Sequence, residues 1–265
     1  MRVAKGLMRS IVVALLCACL AGAASRVSRA WADDGVVLPL PAEDAKEIVK
    51  HLGAGVVGKA LPSKTIDDPA EYFPLQEREL AYRITAGKEA GTTQTLHIQK
   101  GKRPNGNPAW RFGLTPSLDG YIQQTGDGNL MMPAVSDTDE GVIIITTPAN
   151  PFVLKGMKPG ESRPLTQTVL VNYLDEPTKT DYSGNLTGDY TYIGTYQVTV
   201  PAGTYNAILM RLKYHGKVGP AETEDTAYYF FAPDVGVVAL ISQEDVEAFW
   251  IIHIDTTTGK VLGSK

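Results

Sequence analysis

From residue 79 to the C-terminus, apolar side chains recur at every second position, and that period constrains this chain more than any other feature in it. Leu80, Tyr82 and Ile84 alternate with Ala81, Arg83 and Thr85, the spacing of a strand that buries one face. The same reading gives strands at 93–100, 109–114, 119–124 and 141–147, then at 165–174, 189–200, 204–215, 225–232, 236–243 and 247–255. Turn-rich pieces separate them, such as Lys102–Pro108 and Thr125–Asn129. No helix-length pattern lies between successive strands, which excludes parallel βαβ winding. The expected fold is mainly β: a curved antiparallel sheet forming a β-barrel or sandwich, with 72–150 and 151–265 as candidate half-sheets.

The hairpin over 189–215 is the clearest local prediction. Tyr190, Tyr192, Tyr196, Val198 and Val200 share one parity, and Thr191, Ile193, Thr195, Gln197 and Thr199 share the other. Unbroken alternation would give one apolar and one wet face. Pro201-Ala202-Gly203 reverses the chain, because Pro fixes φ and Gly takes a positive φ that other residues resist. The returning strand offers Ile208, Met210, Leu212 and Tyr214 on one face.

Ahead of the sheet, Ala42–Leu61 reads as one N-terminal amphipathic helix. Pro41 suits its first position, Glu43 and Asp44 complement the helix dipole, and Ile48, Val49, Leu52 and Val56 form an apolar stripe. Gly53, Gly55 and Gly58 weaken its second half. The polar face is not notably basic, so the stripe is expected to pack on the domain instead of a membrane. Residues 33–78 thus make a helix and linker, and 79–265 the β domain.

The first 32 residues read as a secretion signal. Arg2, Lys5 and Arg9 precede fourteen apolar or small residues, Ile11–Ala24, and Ala30-Trp31-Ala32 supplies a small-x-small exit. The run is short for a bilayer span, which needs about 20 residues. Removal of this piece takes five of the 25 Lys/Arg and none of the 29 Asp/Glu, which leaves 233 residues at a net charge of −9. An acidic chain gains nothing from counterion release, so nucleic acid is excluded as a partner. Both cysteines, Cys17 and Cys19, fall within the signal, leaving no disulfide and no thiolate chemistry in the remainder. The expected location is periplasmic or secreted. Leu16-Cys17-Ala18-Cys19 loosely matches a lipobox, and membrane association is expected only if Cys19 is lipidated.

No residue constellation names a reaction. His51, His97, His215 and His253 show no metal-ligand spacing. The nucleophile elbow G-x-S-x-G is absent, and Ser183 reads as a residue of a polar loop. Asp137, Asp139 and Glu140 crowd before Gly141 but lack the positions of a calcium loop, so they read as a solvated acidic turn. Glu222, Glu224 and Asp225 read likewise. Gly53–Gly58 matches G-x-G-x-x-G by letter but follows a helix, where the dinucleotide fingerprint requires a strand. No catalytic residue, metal site or cofactor is expected. The aromatic residues Tyr192, Tyr196, Tyr214, Tyr228, Phe230 and Trp250 are the candidate lining of a ligand concavity. Core packing is the alternative for every one of them.

Two turns carry a family resemblance: Val200-Pro201-Ala202-Gly203-Thr204-Tyr205, and Tyr228–Phe231 running into Ala232-Pro233-Asp234-Val235-Gly236-Val237-Val238. With Tyr72-Phe73-Pro74-Leu75 ahead of the first strand, the layout over 72–243 resembles a group of uncharacterised Gram-negative envelope proteins, periplasmic or lipid-anchored. Asp234 stands where that pattern has Gly. The resemblance implies a β-rich half-barrel outside the cytoplasm and carries over no catalytic residue. The expected function is that of a non-enzymatic envelope protein that binds a lipid or other apolar ligand on a curved sheet, or docks an envelope protein partner. The alternatives are an assembly component without a ligand and a periplasmic hydrolase.

Overall fold

The computed structural model describes residues 35–248 and 252–264. Residues 1–32, expected to be a secretion signal and including Cys19, and Trp250 lie outside the described residues. The described elements are β1 (Val36–Val37), α1 (Ala42–Leu52), β2 (Val57–Ser63), α2 (Pro69–Tyr72), β3 (Arg78–Ala86), β4 (Thr93–Lys102), β5 (Pro108–Gly113), β6 (Leu118–Gln124) and β7 (Leu130–Asp137). There follow β8 (Val142–Val153), β9 (Ser162–Tyr173), β10 (Thr180–Val200), β11 (Gly203–Val218), β12 (Ala221–Ala232), β13 (Gly236–Ala248) and β14 (Ile252–Leu262).

Strands β3 to β14 form a closed antiparallel barrel of twelve strands, each paired with its neighbours in sequence. Two pairings complete the ring. At one, β14 meets β3 over a short register, Gly259–Leu262 against Tyr82–Ala86. At the other, β10 divides its length: residues 180–191 pair with β9 and residues 195–198 pair with β2. A barrel is therefore the outcome, not a sandwich of two half-sheets.

Most interior positions are apolar. Ile98, Phe112, Ile122, Val169, Val171, Ile208, Met210 and Tyr229, drawn from strands around the ring, belong to one buried cluster. Outward positions on β9 (Ser162, Thr166, Thr168) and β11 (Lys213, His215, Lys217) are polar and exposed. That is the reverse of a membrane-spanning barrel, which carries its apolar band outside. A twelve-strand ring drawn as a circle would leave a lumen. Here glycine lets β10 and β11 approach too closely for any side chain: a Cβ on Gly188 would lie 1.9 Å from the Lys213 carbonyl oxygen. Such contacts mark tight corners of a sheet.

The two ends of the barrel differ. At one end the linker after β2 acts as a plug. Ile66 exchanges backbone hydrogen bonds with the β8–β9 loop, donating to Met157 and accepting from Gly156, and both Ile66 and Phe73 are fully buried in the interior cluster. Phe73 packs edge-on against Phe112 and Phe152 with ring centroids 5.3 and 4.9 Å away, and Phe152 meets Phe231 at 5.1 Å. The opposite end carries the hairpin turns 87–92, 114–117 and 138–141.

Helix α1 lies outside the barrel against a second buried cluster that includes Tyr196, Val198, Leu209, Tyr228, Phe230 and Ile241. It is shorter than the expected 42–61. Gly53 takes φ 101° and ends it, and residues 57–63 then form β2, which pairs with β10. The packing face is Asp44, Ile48, His51 and Leu52, while Val49 from the expected stripe is 52% exposed. Asp44 is fully buried, and it accepts from Arg211 at 2.8 Å and from the Tyr228 hydroxyl at 2.9 Å.

Three strand expectations need correction. Between Tyr192 and Gly194 the β10 register slips by one residue, leaving Ile193 as a bulge. A one-residue slip exchanges faces. Tyr190 and Tyr192 therefore point into the barrel, whereas Tyr196, Val198 and Val200 point out beneath α1. Second, β13 runs unbroken to Ala248, so 244–246 is strand and not the gap between two strands. Third, β7 was not expected. Its Pro133 sits at a register irregularity, where a strand tolerates a missing N–H. Ser183 likewise lies in β10 and not in a loop. The Val200–Gly203 reversal is as expected, with Val200 opposite Gly203. At the second turn Asp234 takes φ 60°, a left-handed conformation that Asp tolerates better than most residues.

Candidate functional site

Two carboxyl groups face the interior near the open end. Asp225 shares its parity on β12 with Ala227, Tyr229 and Phe231, and Glu244 shares its parity on β13 with Leu240 and Val246, all core residues. The register sets Asp225 directly opposite Glu244, a separation of about 5 Å between Cβ atoms. They are 3% and 6% exposed.

Their surroundings differ. The Asp225 side chain is hydrogen-bonded to the Thr223 hydroxyl at 2.8 Å, the Asp245 backbone N–H at 3.0 Å and the Tyr214 side chain. Glu244 accepts from the Ser242 hydroxyl at 3.1 Å through Oε1, and its Oε2 has no hydrogen-bond partner among the described residues. Burial pushes the Asp225 carboxyl up to about 7 against those hydrogen bonds. Burial and then the nearby Asp225 charge raise Glu244 well above the carboxylate range. Opposed carboxylates in a low-dielectric site cannot both ionise cheaply, so the pair retains a proton at neutral pH.

Glu244 also contributes to a cleft of about 690 Å³ at this end of the barrel. Gly87 and Lys88 from the β3–β4 hairpin, Ser117 and Leu118 at the start of β6, and Asp255–Thr257 of β14 line it. Asp137, Asp139 and Glu140 complete the wall. The turn expected to be solvated is thus part of the cleft. Asp137 is only 5% exposed, its Oδ1 accepting the backbone N–H of Asp139 at 2.9 Å and of Glu140 at 3.3 Å. Five acidic side chains and one lysine line the cleft, so its potential is negative. Behind the hairpin, Lys260 is 1% exposed and donates to Gln94 Oε1 and to the Leu114 carbonyl; burial lowers it to about 8.

The aromatic residues singled out from the sequence are not brought together. Tyr192 and Tyr214 lie in the interior cluster, and Tyr196, Tyr228 and Phe230 lie in the outer cluster under α1. The Tyr192 hydroxyl meets Thr195 at 3.1 Å, and the Tyr196 hydroxyl donates to the Leu38 carbonyl at 3.2 Å. These side chains serve as core.

A second groove, of about 450 Å³, crosses the outer face of β11–β13 and includes His215, Lys217, Glu222, Glu224, Asp245 and Glu247. Lys217 pairs with Glu222 at 2.9 Å, and His253 lies 3.4 Å from Asp245 and 3.5 Å from Glu247. Exposed pairs of this kind contribute little.

No protein-family model matches the sequence, and no curated protein matches it. Solved structures that resemble this chain include three from bacteria. The hypothetical lipoprotein YmcC from Escherichia coli aligns at 9% identity over 85% of this chain and 98% of its own, with a TM-score of 0.40. A protein described as exported, with a YmcC-like fold, from Bacteroides fragilis aligns at 12% identity over 76% and 98%, with a TM-score of 0.37. A protein described as a lipoprotein from Parabacteroides distasonis aligns at 12% over 77% and 99%, with a TM-score of 0.33.

Chemically, the site offers a buried carboxyl oxygen at the base of an acidic cleft. Asp225 stands opposite Glu244 and does not itself line the cleft. Among the described residues, no three acidic or histidine side chains converge in a geometry that holds a metal ion. The sequence carried a signal for this site: Asp225 and Glu244 interrupt the apolar face of their strands at core parity.

Proposed function

We propose that this is an exported, non-enzymatic cell-envelope protein that binds a small polar ligand in the cleft at the open end of its barrel. Export rests on the signal-like first 32 residues. The observation that carries the binding reading is the Glu244 Oε2 atom, buried without a hydrogen-bond partner among the described residues, in a residue that lines a cleft of about 690 Å³. A buried polar oxygen without a partner costs about 1–3 kcal/mol, and a polar group on a ligand would recover it. An apolar ligand fits less well, because the aromatic side chains pack against one another and the cleft is acidic.

Backbone amide shifts recorded during titration with a library of small polar metabolites test the reading. Perturbations confined to Gly87, Ser117, Asp139 and Thr256–Thr257 are expected, with no uptake of a fluorescent fatty-acid probe. Saturable binding of the fatty acid, or perturbations spread along the outer face of β11–β13, would overturn it.

A further inference from the structure

We infer that the cleft takes an organic ammonium ion, an aliphatic amine whose charged head seats on the Glu244 carboxyl and whose methylene chain lies along Leu118. This deepens the reading given under the proposed function and rests on it. The argument is one of elimination by chemistry. An anion is disfavoured by five acidic side chains facing one lysine. A bare divalent cation needs several oxygen ligands at once, about six to eight for calcium, and no such convergence exists among the described residues. A primary ammonium brings three donors and one charge. It satisfies Glu244 Oε2 with one donor and leaves two for the hydroxyl-bearing Thr256 and Thr257 or for water. The wall beside Glu244 includes the apolar side chain of Leu118, against which methylene groups lose water favourably.

The charged groups around Glu244 are Asp225 on β12, Asp255 on β14, and Asp137, Asp139 and Glu140 of the β7–β8 turn. Lys88 on the β3–β4 hairpin and Lys260 behind it are the cations. Seating an ammonium favours the ionised carboxylate, so the proton held by the acid pair leaves to the buffer as the ion pair forms. The balance is one neutral carboxyl plus one ammonium giving one carboxylate–ammonium pair plus one proton.

Calorimetric titration with 1,5-diaminopentane at pH 7, in two buffers of different ionisation heat, reads both affinity and proton release. Binding with about one proton released per amine is expected. Glu244→Gln should abolish the release and weaken binding about tenfold or more. The double variant Asp139→Asn/Asp255→Asn, altered only at the exposed rim, should weaken binding with proton release retained, which guards against a Glu244 variant that fails to fold. Equal binding of 1,5-pentanediol, or amine binding unchanged in both variants, overturns the inference. If other polar metabolites shift the cleft amides and amines do not, the ammonium class fails while the binding reading stands. If no compound shifts them, both fail.

Discussion

Replacing Asp225 with Asn turns the buried acid pair into a measurable pH dependence of stability. An acid whose folded value is raised holds its proton more tightly in the native chain than in the unfolded one. Its contribution is complete below the unfolded value, about 4, and is lost as pH rises through the folded value, about 7. At about 1.4 kcal/mol per pH unit, wild type has lost about 1.5 kcal/mol at pH 5 and about 4 kcal/mol at pH 8 relative to a chain with no acid there. Asp225 is 3% exposed, so solvent screens little of this. The substituted amide has no proton to lose. The variant should therefore gain about 2.5 kcal/mol on wild type between pH 5 and pH 8. Urea unfolding at pH 5, 6, 7 and 8, followed by circular dichroism, gives both curves. His51, which burial lowers, works in the opposite sense with falling pH but is common to both proteins and cancels in the difference. Curves parallel to within about 0.5 kcal/mol would refute the picture of an Asp225 carboxyl that holds its proton inside the barrel.

Three further outcomes follow from the packing. Asp44→Ala strands Arg211 and removes the acceptor of the Tyr228 hydroxyl, and should cost about 3–5 kcal/mol in urea unfolding, against about 1 kcal/mol for Tyr228→Phe. Phe152→Ala removes the ring that touches Phe73, Tyr229 and Phe231 and should cost about 3–5 kcal/mol by the same measurement. Gly188→Ala drives a methyl group into the Lys213 carbonyl and should abolish the folded circular-dichroism signal, whereas Gly126→Ala, with nothing within 4 Å of its Cβ, should leave it unchanged.

Period-two alternation made most of the barrel legible, because an interior strand must present one parity to the core. The reversal at Pro201–Gly203 and the face of Ile208, Met210, Leu212 and Tyr214 follow directly from that rule. What alternation cannot register is an inserted residue. Ile193 looks like one more member of the pattern, yet as a bulge it sends Tyr192 and Tyr196 to opposite sides of the sheet. The grouping of aromatics into one ligand surface fails for that reason. The end of α1 was hidden for a different cause: residues 57–63 find a tertiary partner in β10 that local propensity does not encode. The acid pair was half legible. Asp225 and Glu244 occur among acidic neighbours, Glu224 and Asp245, and charge clusters near strand ends suggest turns. Their parity with Tyr229 and Leu240 separates them from those exposed neighbours, but only once β13 is recognised as continuous.

The pairing of β14 with β3 joins residues near the end of the polypeptide to some of the earliest in the sheet. A chain delivered amino end first cannot complete its ring until residues 259–262 have arrived. Until then β3 exposes an unsatisfied edge, and the part of the α1 docking surface that β14 supplies does not yet exist. Loop closure over nearly two hundred residues is slow. This architecture therefore implies a long-lived open sheet during biogenesis, with its greasy side uncovered.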